Sequence, residues 1–179
     1  MVEIFSLWVV NIKIFNTFVV MKTLDWIHKQ LEANLICENY KDEVSDAKSK
    51  KDLFDIACCI DGALFLAEKE YDGWGLSLEV MEREFKNFIN GKYKAVYKDE
   101  NGKQLYTSCM YIGVDTSIVV DTTVTVLFGC KCVVEVPADK HAILVLGYGS
   151  DISINNNADG RLVSWGKVLG RGDYKYKFI

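Results

Sequence analysis

A chain of 179 residues, half of them hydrophobic and 26% charged, fills one ordinary domain or two small ones and can bury a core. Its net charge of −4 is unevenly placed: residues 1–90 hold 10 basic against 16 acidic side chains, and residues 91–179 hold 11 against 9. Neither half carries the basic stripe that phosphate binding needs, which sets nucleic acid aside as a partner. Pro137 is the single proline and no Ser/Gly/Pro-rich linker occurs, so the two halves are expected to pack together. Six cysteines, two of them adjacent, with no Asn-x-Ser/Thr sequon, fit a reducing cytoplasm better than a disulfide scaffold.

Residues 1–20, MVEIFSLWVVNIKIFNTFVV, are apolar but interrupted by Glu3, Asn11, Lys13 and Asn16. A lysine at the middle of a membrane helix costs about 2.5–3.5 kcal/mol on insertion scales, which counts against a membrane span. The stretch also lacks the basic flank and small-residue cleavage site of a signal peptide. At helical spacing Glu3, Ser6, Lys13, Asn16 and Thr17 fall within an arc of about 140°, which would suit a surface helix. The competing expectation is that translation starts at Met21 and that this segment is dispensable.

Residues 21–91 read as an acidic helical region. Leu24, Ile27, Leu31 and Leu35 recur at three- and four-residue steps, with His28 on the flank of their stripe as a structural residue. ENYKDEVSDAKSKKD is a solvated charge run, either a loop or an exposed helix. Asp52 is expected to cap the next helix, LFDIACCIDGALFLAEKEY, whose apolar residues cover nearly every side and which Gly62 is placed to interrupt. Asp55 and Asp61 lie six apart and share no helix face, which weakens a paired-acid reading. After the DGWG turn, where Trp74 is placed to plug the core, Ser77 is expected to cap a third helix. Leu78, Met81, Phe85 and Phe88 form its buried stripe, and Asn90-Gly91 its left-handed stop.

From Lys92 the period becomes two, and residues 92–179 read as a β-rich domain. Strands are expected at 93–97, 104–112, 117–128, 130–136, 141–148, 151–155, 161–167 and 174–179, separated by turn residues such as Asn101-Gly102, Asp159-Gly160 and Arg171-Gly172-Asp173. From residue 117 the strand starts fall ten to thirteen residues apart. That spacing suits a sandwich, or a short β-solenoid whose turns stack in parallel. The expected fold class is therefore α+β, with N-terminal helices packed on a C-terminal all-β domain.

The thiols invite a metal or redox reading. Val124, Val126, Phe128, Cys130, Cys132, Val134 and Val136 alternate along one stretch, so the strand reading puts both thiols on a single apolar face, where cysteine behaves as a small hydrophobe. A zinc knuckle prefers Cys-x2–4-Cys at a turn, and the other pair, Cys58-Cys59, is adjacent on a helix. Only His28 and His141 could serve a thiol as base, and a dyad of His141 with Cys109 or Cys132 has no accompanying nucleophile motif. Asn155-x-Asn157-x-Asp159-Gly160 copies part of a calcium loop with one carboxylate, but position twelve is Gly166 where a Glu is required. Arg171-Gly172-Asp173 reads as a glycine turn. No catalytic, cofactor or metal residue is therefore assigned.

DLFDIACCIDG, FINGKY, YTSCMY and TTVTVLFGCKCVVEVP together resemble small uncharacterised proteins of bacteriophages and prophages of gut bacteria. The resemblance spans about Lys51 to Val136 and implies no activity and no site residues. The expected function is non-enzymatic: interaction with a protein partner, or homo-oligomerisation, through a β-rich domain. The longest expected strand, SIVVDTTVTVLF, is the candidate for assembly. The competing reading is a small-molecule or carbohydrate binder using Trp74, Trp165, Tyr106, Tyr111 and Tyr148 as stacking surfaces.

Overall fold

Strand residues buried on both faces belong to sheets covered on both sides, as parallel sheets are. Val124–Phe128 is such a strand, with all five side chains buried. In the computed structural model, which describes residues 24–25, 27–29, 38–67, 76–155 and 166–179, it is the centre of a parallel stack. The strands are preceded, among the described residues, by the helices α1 (Glu38–Asp46), α2 (Lys50–Cys58), α3 (Ile60–Leu66) and α4 (Leu78–Phe85). The strands are β1 (Ala95–Lys98), β2 (Gln104–Ile112), β3 (Ile118–Val119), β4 (Val124–Phe128), β5 (Val133–Glu135), β6 (Ile143–Leu146), β7 (Ser150–Asn155), β8 (Lys167–Gly170) and β9 (Tyr174–Phe178). Helical residues also occur at Leu24–Asp25 and 27–29, with Ile27 fully buried.

One sheet has the order β1-β2-β4-β6-β8 and the other β3-β5-β7-β9. Apart from the antiparallel β1–β2 pair, every pairing is parallel. The chain alternates between the sheets, one strand in each per turn, so the β region is a short solenoid and not a sandwich. Ser108 aligns with Val124, Val124 with Ile143 and Ile143 with Lys167, so successive coils advance by 16, 19 and 24 residues. In the second sheet Ile118, Val134, Ile154 and Phe178 align, at steps of 16, 20 and 24.

The corner from the first sheet to the second is made by glycine each time. Gly113, Gly129, Gly149 and Gly172 follow β2, β4, β6 and β8, with φ of 65°, 59°, 76° and 77°. They are tied in a column, Gly113 N–H donating to Phe128 C=O at 2.8 Å and Gly129 N–H to Tyr148 C=O at 3.1 Å. A Cβ on Gly129 would also stand 2.7 Å from Leu78 Cδ1. Gly129→Ala is therefore expected to cost more than the about 1–2 kcal/mol of left-handed backbone alone. Gly102→Ala, at φ 79° with nothing within 4 Å, should show only the backbone part. Urea denaturation of the two variants checks the difference.

Two cores share the first sheet. On its outer face Met110, Ile112, Val124, Val126, Phe128 and Val145 pack against helical residues including Leu53, Phe54, Cys58, Met81 and Phe85. Between the sheets Leu127, Leu144, Leu146, Ile118, Cys130, Val134, Ile152 and Ile154 fill the solenoid interior. Helices and strands are thus joined by one cluster, in line with the absence of a linker between the halves.

Several local expectations are corrected. The span 117–128 is no single strand: β3 and β4 lie in different sheets, separated by residues 120–123. Thr122 anchors that break, its buried Oγ1 donating to Val124 C=O at 2.8 Å and lying 3.1 Å from Thr125 Oγ1. The alternating stripe from Val124 to Val136 is split as well. Val124, Val126 and Phe128 face the helices, while Cys130, Cys132, Val134 and Val136 face the interior, because the chain turns over at Gly129. The helix cap is Ser49, whose Oγ accepts from Asp52 N–H at 3.2 Å, while the Asp52 carboxylate accepts from Lys48 N–H at 3.0 Å. The long helix breaks at Cys59, whose Sγ accepts from Gly62 N–H at 3.2 Å. Gly62 is needed at that break, since a Cβ would stand 2.1 Å from Ile56 C=O.

The charge run forms the exposed helix α1, anchored by buried Val44. Ser77 caps α4 by accepting from Val80 N–H at 3.2 Å, and the stop follows with Asn90 and Gly91 at φ 59° and 67°. Most of the strand expected at 161–167 lies outside the described residues, as do residues 1–20.

Candidate functional site: the uncovered end of the strand stack

A solenoid buries its interior by stacking coil on coil, so its last coil must be covered by something else. In the first coil, inward-facing Cys109, Ile118 and Val120 are 0%, 3% and 1% exposed. In the last coil, β9 aligns Tyr176 with Ile152 and Phe178 with Ile154, both interior residues. Paired residues of neighbouring strands point to the same face. Tyr176 and Phe178 therefore face inward, yet they are 45% and 50% exposed, and Ile179 beyond them is 60% exposed.

The backbone repeats the asymmetry. Ile179 N–H donates to Ile154 C=O and Gly149 N–H to Asp173 C=O, so the odd residues of β9 bond β7. Alternate residues of a strand direct their N–H and C=O to opposite sides, which places those of Tyr174 and Tyr176 on the edge facing away from β7. Among the described residues β9 is the last strand of its sheet, as β8 is of the other. The three aromatic rings line up, Tyr174 stacked on Tyr176 at 6.5 Å and 15°, and Phe178 edge-on to Tyr176 at 6.0 Å and 89°. Lys175 and Lys177 lie on the outer face of β9, opposite Asp151 and Ser153. Two adjoining surface grooves of about 510 and 370 Å³ share Lys131 and Asp151, and the larger reaches Tyr174 and Lys175.

Of the segment SIVVDTTVTVLF expected to assemble, the β4 part is hydrogen-bonded on both sides, by β2 and β6, while the short β3 part is the edge of the second sheet, with Val119 54% exposed. Of the five expected stacking residues, three are described. Trp74 and Trp165 lie outside the described residues. Tyr106 stacks on Tyr97 at 4.5 Å and accepts from Ile60 N–H at 3.4 Å, at the helix–sheet interface. Tyr111, five residues on, lies on the opposite face of β2 against the interior core, its hydroxyl 2.2 Å from where a Cβ on Gly91 would stand. Tyr148 donates to Leu76 C=O at 3.2 Å and packs near Phe128. Each of these three half-buried rings packs within the chain, with Tyr106 and Tyr111 on opposite faces of β2.

Cys130 and Cys132 fill the solenoid interior, and Cys130 Sγ lies 3.4 Å from Phe128 C=O. Cys109 Sγ is 3.2 Å from Thr122 Oγ1 in a buried network, whereas His141 is exposed. Among the described residues no three His, Cys, Asp or Glu side chains are grouped to hold a metal ion. Burial pushes the Cys109 and Cys132 thiols up, and that of Cys130 from 9.0 to about 11, the reverse of what activates a nucleophile. Burial also raises Tyr111, from 10.0 to about 12. A folded pKa above the unfolded one favours the folded chain while the group is protonated, and that advantage fades as pH rises toward the folded value. Stability is expected to fall between about pH 9 and 11, read as a declining urea midpoint. The Cys109, Cys130 and Cys132 thiols should be alkylated far more slowly in the native protein than in the unfolded protein at pH 8.

Asp55 holds helices to strands. Its carboxylate accepts from Lys51 at 2.6 Å and Tyr93 at 2.8 Å, and its backbone oxygen accepts from Tyr97. Asp61 is exposed in the first turn of α3. Gly172 supplies the left-handed bend of the Arg171-Gly172-Asp173 turn, as the sequence suggested. No helix among the described residues is long and apolar enough to cross a membrane. The comparisons with known proteins return nothing: no family model, curated protein or solved structure matches the chain.

Proposed function

We propose that the protein acts by binding an extended polypeptide segment along the last coil of its solenoid, as an interaction protein and not as an enzyme. The observation that carries this reading is the contrast between the closed first coil and the half-exposed, inward-facing Tyr176 and Phe178 of the last. An added strand would pair with the outward N–H and C=O groups of β9 and cover the interior side chains at once, which is the general mode of strand addition at a sheet edge.

The test is selection from a library of random ten-residue peptides displayed against the immobilised protein. Peptides should be enriched that lose binding to Tyr176→Pro, which deletes an outward N–H without touching the β7 ladder, and that keep binding to Val96→Lys on β1. If no enriched peptide distinguishes Tyr176→Pro from the unaltered protein, the reading is wrong.

A further inference from the structure

We infer that the segment bound at this end alternates apolar with acidic residues; this rests on the reading above and names its partner class. A strand laid on β9 shares its two faces. The added side chains facing inward would meet Tyr176, Phe178 and the partly buried Val168, which ask for apolar groups. Those facing outward would stand beside Lys175 and Lys177, whose next neighbours on β7 are Asp151 and Ser153. Opposite charges directly across a strand pair are favourable and like charges are not. Residues 166–179 as a whole carry Lys167, Arg171, Lys175 and Lys177 against Asp173, a net of +3 on a chain of −4.

The same charges argue against a second copy as occupant by edge-to-edge pairing. Two β9 strands laid side by side would bring lysines of one face against lysines of the other, across an interface with no acidic side chain within β9. Acidic residues in the added strand remove that repulsion and turn it into attraction. Because both faces are shared whichever way the added strand runs, the requirement holds for parallel and antiparallel docking alike.

The experiment is fluorescence anisotropy with three labelled synthetic peptides, alternating valine with glutamate, with serine or with lysine, at low salt. The glutamate peptide is expected to bind about tenfold tighter than the serine peptide, from two cross-strand pairs. The lysine peptide should bind more weakly still, and the glutamate preference should shrink at 0.5 M salt. The double substitution Lys175→Glu/Lys177→Glu should reverse the order of the charged peptides. Tyr176→Pro should abolish binding of all three, with Tyr174→Pro as a second variant and thermal unfolding as the check that each folds. Equal affinity for the glutamate and serine peptides, with both lost in the proline variants, would overturn the acidic partner and leave strand addition standing. Absence of any binding sensitive to both proline variants would overturn both. A mass by light scattering that grows with concentration and reverts in Tyr176→Pro would assign the end to a second copy and overturn the inference.

Discussion

Phe54→Ala is expected to lower the unfolding free energy by about 3–5 kcal/mol, the range for removing a buried aromatic ring. Phe54 is 1% exposed and its ring meets Phe88 at 5.2 Å, Tyr93 at 5.5 Å and Phe85 at 6.0 Å. Those three partners come from α4, the turn after it and the approach to β1, so one side chain ties the helical layer to the start of the sheet. The neighbouring Asp55 receives the hydroxyls of Tyr93 and Tyr97. Losing the ring therefore leaves a cavity where three segments converge and cannot all collapse inward. Urea denaturation followed by circular dichroism gives the number. A loss below about 1 kcal/mol would mean that the helices contribute little to the folded state.

The second large effect is a contrast along one interior column. Ile152→Ala, fully enclosed by the stack, is expected to cost about 2–5 kcal/mol. Tyr176→Ala, its aligned neighbour on β9, should cost below about 1 kcal/mol, because an exposed side chain has little to lose. The two positions play the same geometric part, so the difference measures what a covering coil adds. With saturating bound peptide the cost at Tyr176 should grow toward that at Ile152. Equal costs in the free protein would show that the end is already closed.

How much of this was legible in the sequence depended on how local the signal was. α4 announces itself, with Ser77 before it and Asn90-Gly91 after it, and β2 runs from Gln104 to Ile112 as its alternation predicts. The α+β division followed from the change of period at Lys92, and the packing of the halves from the absence of a linker. The break at 120–123 did not, because Thr122 and Thr123 are good strand formers and only the coil geometry sends the chain to the other sheet there. Nor did the face assignments. The step from β4 to β6 is 19 residues, an odd number, so the helix-facing side is even in β4 and odd in β6. The missed repeat signal was the glycine column: Gly113, Gly129, Gly149 and Gly172 recur after β2, β4, β6 and β8 while the neighbouring sequence diverges. The aromatic run of β9 was readable as a strand, but its place as the uncovered end depends on strand order, which no single segment encodes.

The two-core arrangement has a consequence for the order in which the chain can fold. The apolar stripes of α2, α3 and α4 are made first, yet the surface they need is built from β2, β4 and Val145 of β6, far downstream. During synthesis from the N-terminus, those helices wait with their hydrophobic sides unsheltered until the third coil has left the ribosome. Parallel pairing adds to the delay, since each coil closes a loop before it gains its ladder. The acidic excess of residues 1–90 is of the sign and size that would set nascent chains repelling one another while this segment waits for the sheet to cover it.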